Sequence, residues 1–207
     1  GQTANNSGNF SDVDGDTVAI TASVGAVTKS GSSSGTWSWS WATTDGPDDS
    51  GTVTIVADDG TVTTSASFSL TVDNVAPVVT LSGAVLVDDG DTESYTIFTS
   101  DPGDDTFILV GHSCGTGGSS TIPAFDSVTG SGSFDCTFPN GPANSIATVQ
   151  VGDSDDIGFD ILEISIANVT PVVTLSGPVL VNEVDTETYS FTASDPGDDT
   201  FILVGHS

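Results

Sequence analysis

Between clusters of Gly, Pro, Asp and Asn, the chain alternates apolar and polar residues with a period of two, and no stretch has a helical period. In the central part this pattern predicts six strands: Val78 to Leu81, Glu93 to Thr99, Thr106 to Val110 running on toward Cys114, Ser133 to Phe138, Ser145 to Val151 and Phe159 to Ile166. Each sets β-branched or aromatic residues against Ser, Thr or acids, as a strand does when one face is buried. Short, regularly spaced strands without helices predict an all-β chain of immunoglobulin-like Greek-key β-sandwiches.

The pattern also repeats. The stretch from Asn74 to Ser113 returns from Asn168 to Ser207 with 30 of 40 positions identical, at an offset of 94 (168 minus 74). A period of that size is one sandwich domain, which makes the chain a tandem array. A weaker echo, SGTWSWSW from Ser34 against SGSFDCTF from Ser131 and FSDVDGDT from Phe10 against TSDPGDDT from Thr99, extends the array toward the N-terminus. The expected domains are 1–73, a repeat lacking its first strand; 74–167, a complete repeat; and 168–207, the start of a third. Such half-built sandwiches raise the expectation that one copy's incomplete end is completed by a strand of another, giving a filament.

Charge narrows the functional classes. There are 29 acidic residues against one cation, Lys29, for a net charge of −28, which excludes nucleic acid as a partner. Of the acids, 25 are Asp and four are Glu, and Asp favours turns over strands, so the charge is concentrated in loops. Two readings follow: a solvated, salt-adapted surface, or loops whose packed oxygen ligands bind calcium. Generic acidification enriches Glu as well as Asp, and does not place clusters at matching points of successive repeats, so calcium is the expectation. No run of about 18 apolar residues predicts a membrane span, and no charged, apolar-cored leader is present.

The two cysteines, Cys114 at the end of the third strand and Cys136 in the fourth, are expected to form a disulfide, as an even pair does in an exported chain. The echo sets Gly25 and Trp39 at the matching places of the first repeat, a ring over a glycine filling the same space. Trp37, Trp39 and Trp41 alternate with small polar residues and are expected in the core, against the alternative of a sugar-stacking platform. His112 and His206 recur in GHS. A Ser beside a His on one strand points to the opposite face, so no catalytic pair is expected and the chain is read as no enzyme. Asn5 and Asn168 match the glycosylation triplet.

The run VTLSG, SDPGDDTF, DCTFPNGP and VQVGDSDD, closing on NVxP, resembles the PKD-type and related bacterial immunoglobulin-like or cadherin-like repeats of long exported surface, adhesin and filament proteins. The linkers, Val72 to Pro77 and Ala167 to Pro171, resemble those of cadherin arrays, and the resemblance implies calcium held between consecutive repeats. Sandwich geometry then sets Asp73 and Asn74 against Asp101, Asp104, Asp105, Asp153, Asp155 and Asp156. It sets Asn168 against Asp195, Asp198 and Asp199 on one side, and Asp88, Asp89, Asp91 and Glu93 on the other. Asp12, Asp14, Asp16, Asp58 and Asp59 are the equivalent acids of the first repeat. The expected function is a calcium-rigidified extracellular stalk, sheath or filament shaft. An adhesin, a carbohydrate- or protein-binding module, or an accessory repeat of a secreted hydrolase is the alternative.

Overall fold

The computed structural model describes residues 1–121 and 123–205; these are all-β, without a helix, and fall into two compact units. The first unit comprises Gly1–Pro77 with the segments Asp101–Thr106 and Asp153–Asp156. Its strands are β1 (Thr3–Ser11), β2 (Ala19–Ala22), β3 (Ala26–Ser30), β4 (Ser34–Ala42), β5 (Gly51–Asp58) and β6 (Thr63–Leu70). They form two antiparallel sheets, β1-β4-β3 and β2-β5-β6. The alternation in β4 turns all three tryptophans to the core side. Trp39 is buried with Val53 and Ile55, while Trp37, Trp41, Phe68 and Leu70 pack around them half-buried. The Trp39 ring meets Phe68 edge-on at 5.1 Å, and its Nε1 donates to the Val24 carbonyl at 2.7 Å. The outward platform that a sugar would need is therefore missing from β4. Lys29 donates from Nζ to the Val18 carbonyl and lies over the Phe10 ring.

The second unit comprises Val78–Ser100, Phe107–Gly152 and Ile157–Ser207. Strands β7 (Val78–Ser82), β9 (Thr92–Ser100) and β13 (Ser131–Thr137) form one sheet, with the short β11 (Ser119–Ser120) and β12 (Ala124–Asp126) both on β13. The facing sheet runs β10-β14-β15-β8, built from β8 (Leu86–Asp88), β10 (Ile108–Ser113), β14 (Ala143–Gly152) and β15 (Ile157–Ala167), where β8 pairs parallel to β15. Tyr95, Ile97, Phe134 and Phe138 from one side and Val149, Val151, Ile164 and Ile166 from the other close a continuous core. Cys114 and Cys136 are disulfide-bonded within it. The Asp160 carboxylate accepts the Leu81 amide at 2.8 Å and so ties β15 to β7 of the facing sheet. Last come β16 (Val172–Ser176) and β17 (Ser190–Ser194), an antiparallel pair whose apolar residues are largely exposed.

All six expected strands are present. The third begins two residues late, at Ile108, because Asp101–Thr106 forms a loop whose Asp104 amide donates to the Thr44 carbonyl. Pairing corrects the expected match between repeats. Asp12 in SDVDGDT corresponds to Asp101 in SDPGDDT, which sets Ala4 against Glu93. Ala4 pairs with Trp41 and Glu93 pairs with Cys136, so Trp41, not Trp39, stands at the place of Cys136. Gly25, with φ 74°, matches Gly115, with φ 76°, which gives the place of Cys114 to Val24. A slip of two residues keeps every side chain on its own face, so alternation alone does not register it. Trp39 does cover Gly25: a Cβ there would lie 2.6 Å from Trp39 Nε1.

Candidate metal centre

The second unit gathers three carboxylates. Asp89, Asp195 and Asp199 each bring one oxygen within 4.8 Å of the others, the one such group among the described residues. Asp89 is fully buried just after β8; its Oδ1 accepts the Val169 amide at 2.9 Å and its Oδ2 the Gly141 amide at 3.3 Å. Asp195 Oδ1 accepts the Gly197 amide at 2.9 Å, while Oδ2 is buried without a hydrogen-bond partner. The loop passes close because residue 197 is glycine: a Cβ there would lie 2.8 Å from Asp89 Oδ2. The Asp198 amide donates to the Pro139 carbonyl and fixes the other side of the loop.

The first unit holds the equivalent acids. Asp101 repeats Asp195 down to the atom: Oδ1 accepts the Gly103 amide at 2.6 Å and Oδ2 is buried without a partner. Asp153 is buried, its Oδ1 taking the amides of Asp155 and Asp156 and its Oδ2 the side-chain amide of Asn74 at 3.0 Å. Burial alone raises its pKa, but the Asn74 hydrogen bond and the two amides outweigh burial and hold it below the usual carboxylate value. Asp105 is shifted the other way, upward, by burial first and then by the charges of Asp45, Asp153 and Asp101. Asp45, Asp73, Asp101 and Asp105 line a cleft of about 500 Å³.

A raised carboxylate pKa means stability that is present below the unfolded pKa and lost as pH rises through the folded one, so at neutral pH ionised Asp105 destabilises the unit. In excess chelator, Asp105→Asn is expected to raise the melting midpoint of the first unit. If calcium is held by this set, the same substitution lowers the midpoint in calcium. All three tryptophans lie in this unit, so their emission reads both outcomes.

Of the acids singled out by the sequence, Asp89, Asp195 and Asp199 come together in one unit, and Asp101, Asp105, Asp153 and Asn74 are the buried or half-buried set of the other. The remaining residues are placed differently. Asp88, Asp91, Asp104, Asp155, Asp156 and Asp198 are exposed, Asp73 offers an exposed side chain, and Glu93 lies within β9 opposite Cys136. Asn168 turns its amide to the neighbouring Val169 carbonyl. Asp12 and Asp59 accept their own loop amides, three at Asp12 Oδ1 and two at Asp59 Oδ1. Sequence reading missed Asp45, whose pKa is raised by burial and by Asp48 and Asp49, and Asp160. His112 Nε2 donates to the Thr121 carbonyl, and Ser113 Oγ accepts the Gly115 amide; His206 and Ser207 lie outside the described residues.

No protein family model matches this chain, and no curated protein matches it. Among solved structures it is similar to an endo-fucoidan hydrolase of glycoside hydrolase family 107, at 18% identity and TM-score 0.34, covering 81% of this chain and 27% of the hydrolase. It is similar to the titin Ig tandem domains A164-A165 at 12% identity and TM-score 0.29, covering 74% of this chain and 90% of that one. It is also similar to domains 4-9 of the surface layer protein SbsC, at 13% identity and TM-score 0.26, covering 86% and 30%. The chain thus spans about a quarter of the length of the hydrolase structures. The TM-scores are too low to carry an argument, and the functional reading rests on the chain's own residues. The class they define is an all-β protein of repeated sandwiches.

Proposed function

We propose that this chain is a structural segment of an extracellular repeat protein, a stalk, sheath or filament shaft, with calcium held by its acidic loops. The observation that carries this reading is the Asp89, Asp195 and Asp199 group. Each ionised pair at such a separation repels by on the order of 3 kcal/mol at an effective dielectric constant near 20. The one basic side chain of the sequence, Lys29, lies in the other unit and is engaged with Val18 and Phe10. The donor set is oxygen throughout, which suits a hard cation, and calcium tolerates the irregular geometry of loops better than magnesium does. The buried, unpartnered oxygens of Asp101 and Asp195, at the same position of successive copies, fit the same reading. The disulfide fits an oxidising, extracellular compartment. Near-identical copies fit a spacer, which needs repetition only, whereas a binding module varies its contact loops from copy to copy. The chain on this reading is catalytically inert.

Calorimetric melts in about 1 mM calcium, the affinity range of extracellular calcium modules, and in excess chelator are the test. The midpoint is expected to rise by about 4–8 °C with calcium, and Asp195→Asn to remove most of that rise in the second unit. Magnesium at the same concentration is expected to have a smaller effect. A midpoint that calcium does not move overturns the calcium reading in favour of a merely solvated acidic surface.

A further inference from the structure

The outward face of the β10-β14-β15-β8 sheet in the second unit exposes a cluster of large apolar side chains. Phe159 is 69% exposed, Ile108 57%, Ile161 50%, Val110 49% and Ile146 46%. Pairing sets them around Gln150 and Thr148. Phe159 lies across from Gln150 and Ile161 across from Thr148, Gln150 pairs in turn with Gly111 beside Val110, and Ile108 lies across from Gly152, which has no side chain. The acid on these rows, Glu163, lies opposite Ile146 at one end. Together the five side chains expose roughly 500 Å², toward the upper end of what a monomeric protein leaves open in one patch.

This face is not a by-product of building strands from β-branched residues. Asp59 and Asp153 accept the same pattern of loop amides, which aligns β5 and β6 with β14 and β15. Ser65 and Ser67 then stand where Phe159 and Ile161 stand, and Thr52 where Ile146 stands. The first unit builds the same face from exposed hydroxyl residues. Ile108 and Val110, in contrast, return as Ile202 and Val204 in the repeated segment.

We infer that this face is a homotypic docking surface, covered in solution by the same face of a second copy of the chain. Two such faces pressed together remove about 1,000 Å² from water, the size at which specific association begins, and a patch with its acids at the margin suits an isologous pair. Charge points the same way. Copies that each carry −28 repel wherever their acidic loops approach, and this face carries two acids, Glu163 and Asp88, both toward its β8 end and away from Phe159.

Sedimentation of the whole chain in chelator and about 0.15 M salt, from about 1 to 200 μM, is the test. Chelator separates this result from the calcium reading, which the melts address. The weight-average mass is expected to climb from 20.8 kDa toward twice that value. Phe159→Ser with Ile161→Ser, the residues of the first unit, is expected to keep the chain at 20.8 kDa with an unchanged melting midpoint. Gln150→Glu, which sets one charge at the centre of each face, is expected to weaken association at least tenfold, and added salt to restore part of it. A wild-type chain that stays monomeric throughout, whether the face is reserved for a different protein or for none, overturns the inference. So does a folded double-serine variant that associates as tightly as the wild type.

Discussion

Trp39→Ala is expected to destabilise the first unit by about 3–5 kcal/mol, the usual cost of emptying a large aromatic site. That is a large share of the 5–15 kcal/mol by which a whole domain is stable. Little is available to fill the space. The fully buried apolar cluster around Trp39 consists of Val53 and Ile55, and Gly25 beneath the ring has no side chain to move in. The Val24 carbonyl also loses the indole donor at 2.7 Å. Denaturant titration followed by the emission of Trp37 and Trp41 reads this unit alone, since the second unit contains no tryptophan. A loss below about 1 kcal/mol would contradict the central role given to the ring.

The second large effect belongs to the disulfide. Replacing Cys114 and Cys136 together by alanine is expected to cost the second unit about 3 kcal/mol, from the entropy of the 22-residue loop that the bond closes. Circular dichroism is expected to show the loss in the transition of the second unit, while the tryptophan-reported transition of the first stays in place. Intact mass after alkylation without reduction is expected to show no label on either cysteine. Full labelling of both thiols would refute the bond.

The fold was largely legible because six strands of the middle repeat carry enough alternating residues to state their period. The strands that escaped, β8, β11 and β12, have two or three residues each and owe their place to neighbours rather than pattern. The match between repeats failed by two residues at Trp39 and by one at Gly25. Alternation fixes which face a residue occupies but not which rung, and the irregularity between Leu109 and Gly111 shifts the count on one strand only. The acids show a different limit. Their loops could be read from Asp, Gly and Pro, but a short carboxylate can fold back on its own backbone amides, as in Asp12, Asp59 and Asp126, or also turn an oxygen toward other acids, as Asp195 does while its Oδ1 accepts the Gly197 amide. Composition is the same in both cases, so sixteen candidates yield one triad and one half-buried set.

One structural repetition bears on how the chain finds this fold at all. Strands β7 and β16 share the sequence VVTLS; β7 pairs with Thr96–Ser100 of β9 and β16 with β17, and the residues just before each paired stretch are near-identical, TESY for one and TETY for the other. During folding, β16 is therefore a chemically acceptable partner for β9, and side chains alone cannot reject it. Distance along the chain can. Joining β7 to β9 closes a loop of roughly ten residues and joining β16 to β9 one of roughly seventy, a difference of about 2 kcal/mol in closure entropy. Synthesis adds to this bias, since β7 and β9 emerge well before β16 exists. In an array of near-identical copies, the order in which strands appear and the shortness of the loop between them keep each strand in its own repeat.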